Sequence, residues 1–169
     1  MELEELAEGA RSLALFELLR QRLVREVPVP NPAAGADFVA TVPAGKTWEL
    51  LSAFGLLTTS AAVANRDVRP RLTDPSQAVV WELPFLFDQV ASSASRYGWI
   101  AGVGFAVQFG ASVVGLPSPP AVLPENFSFR VSTLGLDVAD QWSGVVLMVR
   151  EWSMHTVIQN LDWLELRAR

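Results

Sequence analysis

The chain has 169 residues, of which 50% are hydrophobic, 18% are charged and none is cysteine. This length suits one domain, the hydrophobicity excludes a disordered chain, and the missing thiols exclude disulfides, thiolate zinc sites, iron–sulfur clusters and cysteine nucleophiles. With 13 Lys+Arg against 18 Asp+Glu the formal charge is −5, which argues against nucleic acid as a partner, because phosphate contacts require a basic surface. An ordinary soluble chain is about 25% charged, so the apolar surplus points to surface covered by something other than the chain's own core.

Residues 1–27 are expected to form an amphipathic helix. Leu3, Leu6, Ala10 and Leu13 recur at helical spacing, and Phe16, Leu19 and Leu23 extend the stripe. Glu2, Glu4, Glu5 and Glu8 crowd its beginning while Arg20, Arg22 and Arg25 crowd its end, as the helix dipole favours. The opening residues lack the positive segment of a secretory signal peptide, so export is not expected. Pro28, Pro30 and Pro32 end the helix, and residues 28–36 are expected to be a stiff, extended arm that carries it away from the rest.

From residue 37 to residue 153 the period changes to two. Asp37 to Val42 reads as a short strand, Pro43-Ala-Gly45 as a turn, and Trp48 to Thr59 as a long strand apolar on both faces. Ala62 to Leu72 reads as a more polar strand, placed at an edge or rim by Arg66 and Pro70. Val79 to Leu83, Tyr97 to Val107, Phe127 to Leu134 and Trp142 to Trp152 complete the series. Short strands separated by Gly/Pro-rich turns predict a mainly β domain, a sandwich or barrel with room for the eight strands of a jelly roll. No charge lies between Arg96 and Glu125. Gly98, Gly102, Gly104, Gly110, Gly115 and the Pro117-Ser-Pro-Pro120 breaker nevertheless argue against a membrane-spanning helix there. Residues 154–169 are read as a short helical tail, although Leu161, Trp163 and Glu165 also alternate as a strand would.

The residues offer little for catalysis. His155 is the single histidine, which rules out every metal site with two or more imidazoles, including that of a metal-dependent cupin. We assign it no role. Asp137 and Asp140 flank a turn, and Asp74 and Asp88 lie in loops. A calcium site of oxygen ligands is the weaker reading of them, because turn aspartates ordinarily bond their own backbone. Gly98-Trp-Ile-Ala-Gly102-Val-Gly104 lacks the spacing of a dinucleotide fingerprint, and Asn126-Phe-Ser128 matches a glycosylation pattern without an export signal to give it meaning. Six Trp against one Tyr raise the idea of a carbohydrate platform, but Trp48, Trp142 and Trp152 fall within or at the ends of predicted strands, where aromatics fill cores. No catalytic residue, metal ligand or cofactor is predicted.

Ordered pieces of text then match a known pattern. Val42-Pro-Ala-Gly-Lys-Thr-Trp-Glu-Leu-Leu-Ser52, Leu57-Thr-Thr-Ser-Ala-Ala-Val-Ala-Asn-Arg66, Leu123-Pro through Leu134, Asp140-Gln-Trp-Ser143 and Val149-Arg-Glu-Trp152 together resemble small bacteriophage virion structural proteins with a single jelly-roll β-barrel. The resemblance spans about residues 38 to 152 and leaves residues 1–36 outside it. It implies a non-enzymatic capsid, decoration or neck component that forms homo-oligomers, contacts other virion proteins, and is assembled into the virion in the host cytoplasm. Contact with an internal membrane stays open. The stripe Leu6, Leu13, Phe16 and Leu23 is the candidate subunit interface, docking on a neighbouring subunit or back onto its own barrel. A carbohydrate-binding β-sandwich used in host attachment is the alternative.

Overall fold

The computed structural model describes residues 24–83, 88–102, 107–109 and 113–153. These residues form eleven strands: β1 (Val24–Pro28), β2 (Val39–Thr41), β3 (Thr47–Thr58), β4 (Asp67–Thr73), β5 (Val79–Glu82), β6 (Ala94–Ala101), β7 (Val107–Phe109), β8 (Val113–Ser118), β9 (Ala121–Leu123), β10 (Ser128–Leu134) and β11 (Gln141–Trp152). One sheet runs β1-β11-β3-β6-β8-β7, with β9 also paired to β3, and the other runs β2-β10-β4-β5. The protein is therefore mainly β, in two sheets, as its alternating sequence predicts. No helix among the described residues is long and apolar enough to cross a membrane, and the uncharged stretch after Arg96 contributes strands β6 to β9.

The amino-terminal expectations need correction where the described residues begin. Val24–Pro28, expected as helix end and start of the arm, is a strand paired antiparallel to β11, with Val27 opposite Leu147. Val24 and Val27 stand three apart, a helical spacing; in the strand they fall on opposite faces, Val24 exposed and Val27 packed with Val29 against the core. Pro28 is tolerated because β1 is an edge strand. The rest of the predicted helix, including Leu6, Leu13, Phe16 and Leu23, lies outside the described residues, as does the tail from Met154 with His155. Nor is 28–36 a free spacer. The Val29 amide bonds the Val145 carbonyl at 2.9 Å, Gly144 N donates to Asn31 Oδ1 at 3.1 Å, and Gln141 Nε2 donates to the Pro32 carbonyl at 2.9 Å. The prolines strap this segment along β11.

The long strand β3 has a physical reason for its doubly apolar pattern. Its register against β11 shifts twice, once beside Leu51 and once beside Val145. The first shift flips the phase, so Trp48 and Leu50 face inward before it and Ala53 and Leu57 face inward after it, leaving Phe54 exposed. The second falls at Gly144, whose φ of 58° is the left-handed conformation that a bulge of this kind asks of its glycine. β4, in turn, is no edge strand. It lies between β10 and β5, and the Pro70 carbonyl accepts from the Leu83 amide just past the end of β5. The proline's missing N–H, on the same side as that carbonyl, thus falls where the ladder has already ended.

Between the sheets an aromatic nest joins Phe38, Tyr97, Trp99, Phe129 and Trp142. Phe38 meets Trp142 edge-on with centroids 5.3 Å apart, and Tyr97 stacks on Trp99 at 5.9 Å. Trp142 is also tied to the other layer by its indole N–H, which donates to Asp37 Oδ1 at 3.2 Å. Asp37 accepts as well from the Thr133 amide and hydroxyl at 2.8 and 2.6 Å. Trp142→Ala is expected to cost about 3–5 kcal/mol of unfolding free energy in urea denaturation; a loss under about 1 kcal/mol would contradict this account of the core.

Candidate functional site

One end of the sandwich is built from three loops that sequence spacing keeps far apart: 59–66 after β3, 88–93 before β6, and 135–140 between β10 and β11. Arg66 and Asp140, with side chains entirely shielded from solvent, join them. Arg66 Nε and Nη2 donate to Asp140 Oδ2 and Oδ1 at 2.8 and 3.1 Å. Nη1 donates to the carbonyls of Ala62 and Ala64, and Nη2 also reaches Ser60 Oγ. Asp140 accepts further from the Ser60 amide at 2.7 Å and the Asp137 amide at 2.8 Å. Both partners of a desolvated pair are thus fully hydrogen-bonded, the condition under which burial of charge is tolerated.

The backbone closes around this pair. Arg66 and Gln89 exchange two main-chain bonds of 3.0 Å, the Ser92 amide donates to the Ser60 carbonyl at 2.8 Å, and Thr59 Oγ1 donates to the Val90 carbonyl at 2.7 Å. Gln89 sits in the same buried network, receiving the Tyr97 hydroxyl at 3.0 Å and donating to the Leu57 carbonyl at 3.0 Å. Burial raises the Tyr97 phenol well above its ordinary value, so it stays a donor at any working pH. Gly135, at φ 74°, lets the third loop press on the first; a Cβ there would lie 2.4 Å from the Asn65 carbonyl oxygen.

Among what this scaffold presents are valines, beside exposed Asn65, Asp88 and Ser92. Val63 is 100% exposed, Val138 82% and Val90 59%, one valine from each loop. Single exposed valines need no explanation; these three sit on loops joined by the Arg66–Asp140 pair and the Arg66–Gln89 backbone bonds, and that loop end is termed the valine tip. The carboxylates weighed for calcium accept hydrogen bonds from their own or a neighbouring loop. Asp140 holds Arg66, Asp137 accepts from Ser60 Oγ and the Ala139 amide, Asp88 from Asn65, and Asp74 from Ser76 and Ala78.

A second feature is a shallow cleft of about 410 Å³ lined by Trp81, Leu83, Gly102, Pro117, Ser118, Pro119 and Pro120. Its lining is largely apolar, and among the described residues Ser118 is the one hydroxyl in it. Trp48, Trp99 and Trp142 are buried in the core, whereas Trp81 and Trp152 are half-buried. Of the core role expected of Trp48, Trp142 and Trp152, the first two are buried as expected, whereas Trp152 at the end of β11 is only half-buried. The candidate interface of the amino-terminal stripe lies outside the described residues. Sequence reasoning passed over the loop end, whose only signal was a charged residue, Arg66, at the close of the apolar loop 60–64. No protein family, curated protein or solved structure matches this chain.

The chemistry of the ion pair makes an acid prediction. Burial alone would raise the Asp140 carboxyl, but the hydrogen bonds from Arg66 and from the Asp137 and Ser60 amides outweigh it and hold the pKa at about 2, below the ordinary 3.8. A lowered folded pKa means that Asp140 stabilises the fold fully above about pH 5 and loses that contribution as pH falls through 4 towards 2. The loss is expected to be about 2 kcal/mol, read by denaturant titration across that window. Asp140→Asn, which leaves Arg66 buried without its counter-charge, is expected to cost about 3–5 kcal/mol at pH 7 and to flatten the acid slope; an unchanged slope would contradict the assignment.

Proposed function

We propose that this chain is a non-enzymatic structural component of a bacteriophage virion, a jelly roll that self-associates in or on the capsid as a shell, decoration or neck subunit. The observation that carries the reading is a nested set of antiparallel pairs: β1 with β11, β2 with β10, β3 with β6, and β4 with β5. First pairs with last and each inner strand with the next inner one, which is how a folded ribbon of eight strands rolls into two four-stranded layers, β1-β11-β3-β6 and β2-β10-β4-β5. β7, β8 and β9 are then an insertion between the sixth and seventh strands of the roll.

Jelly rolls serve mainly as capsid domains, lectins and cupins. A single histidine speaks against a cupin. The valine tip and the resemblance of residues 38–152 to phage virion proteins speak for assembly. The occupant of the tip is a neighbouring subunit, in a closed symmetric oligomer or against another virion protein. The stripe Leu6, Leu13, Phe16 and Leu23 supplies a further subunit contact. The protein would then be found in the virion, assembled in the host cytoplasm, with neither cofactor nor nucleic acid bound. Trp81 in its cleft favours a second reading, carbohydrate binding in host attachment, although one serine hydroxyl is little for recognising a sugar.

Light scattering at micromolar concentration is expected to show an oligomer, and the protein is expected in purified particles. Val63→Asp with Val138→Asp is expected to yield a folded monomer of unchanged Trp emission. A wild-type monomer absent from particles would contradict the proposal; oligosaccharide binding abolished by Trp81→Ala would favour the alternative.

A further inference from the structure

The outer face of the four-stranded sheet breaks a rule of strand pairing. Arg130 on β10 stands directly opposite Arg71 on β4, and Arg69 lies two residues along the same face. Like charges facing each other across an antiparallel pair are destabilising. Arg71 is relieved by Glu82, its cross-strand neighbour on β5, and Arg69 by Asp67 with Glu82 at 3.6 Å. Arg130 has no such relief among the described residues. Its Nη1 donates to the neutral amide oxygen of Gln77 at 3.2 Å, and its Nε is shielded from water with no hydrogen-bond partner. Three guanidinium groups against two carboxylates leave a net positive face on a chain of formal charge −5. Exposed Val39, opposite Arg130 on β2, and Leu134, opposite Asp67, flank the arginines. Arginine amid apolar side chains is the composition of an interface.

We propose that this face binds carboxylates, and that its occupant is the glutamate-rich segment Glu2, Glu4, Glu5 and Glu8 of a second copy of the chain. The argument is charge complementarity. An isolated guanidinium lacking an acid is matched by a segment holding four of the chain's acidic residues within seven positions, interleaved with Leu3 and Leu6 to meet Val39 and Leu134. With Nε shielded, the two Nη groups of Arg130 supply the end-on fork that takes a carboxylate through two parallel N–H bonds. The inference rests on the self-association proposed above and assigns it a second contact, separate from the valine tip.

A mixing experiment on the full-length chain tests it. One variant carries Arg130→Glu; the other carries Glu2→Lys, Glu4→Lys, Glu5→Lys and Glu8→Lys. Each alone is expected to associate at least about tenfold more weakly than wild type in sedimentation velocity at low salt. An equal mixture is expected to regain association, because the reversed face then meets the reversed segment and the native face the native segment. Arg130→Gln, which removes the like-charge contact, serves as the folding control and is expected to keep the wild-type denaturation midpoint while weakening association. Variants that associate like wild type, or a mixture that regains nothing as docking within one chain would give, overturn the inference and leave the assembly reading standing. A monomeric wild type overturns both.

Discussion

The Arg66–Asp140 pair is the constraint on which the loop end depends. Its members stand 74 positions apart and belong to loops that follow different sheets. Removing two charges from water costs several kcal/mol per ion, and the mutual attraction recovers this only with good geometry and every remaining donor and acceptor engaged. Here the forked contact, the Ala62 and Ala64 carbonyls and the Ser60 and Asp137 amides meet that condition. Such a pair contributes less to net stability than an apolar substitute of the same shape often would. Its contribution is to define one arrangement of three loops, because any other leaves a bare charge in the interior.

The sheets put this pair where it can act. β3 and β11 are long enough to span the sandwich, and their two register shifts let both remain paired while Trp142, Val145 and Leu147 stay in the core. The aromatic nest then holds the layers together beneath the loops, with Tyr97 reaching from it through Gln89 into the same hydrogen-bond network that encloses Arg66. Core, network and tip are one continuous construction. In the proposed self-association, loops held in one arrangement would lower the entropy lost on docking.

Much of the fold was legible because burial on one face of a strand writes itself as alternation. Phe129, Val131 and Thr133, and Val145, Leu147 and Val149, face inward as their spacing implies. What was not legible depended on long-range pairing. β1 looked like the end of a helix because Val24 and Val27 stand at helical spacing; the inward pair of the strand is Val27 and Val29, and pairing with β11, distant in sequence, decides. The doubly apolar β3 suggested burial on both faces, whereas a bulge beside Leu51 switches its phase. Arg66 suggested a rim because an arginine on a polar strand is ordinarily solvated; it lies instead in the loop before β4, and its counter-ion is distant in sequence, so nothing local marks it as buried. The loop-end candidate was missed for the same reason, since the loops that carry Val63, Val90 and Val138 are joined only in the fold, through Arg66, Asp140 and Gln89.

If the chain self-associates as proposed, the buried pair specifies the loop end that assembles more than it stabilises the fold. Replacing it with apolar residues of similar volume, Arg66→Met with Asp140→Leu, separates the two roles. Sedimentation velocity and urea denaturation of this double variant are expected to show a stability within about 1 kcal/mol of wild type together with lost self-association. A double variant that assembles as the wild type does would contradict the claim.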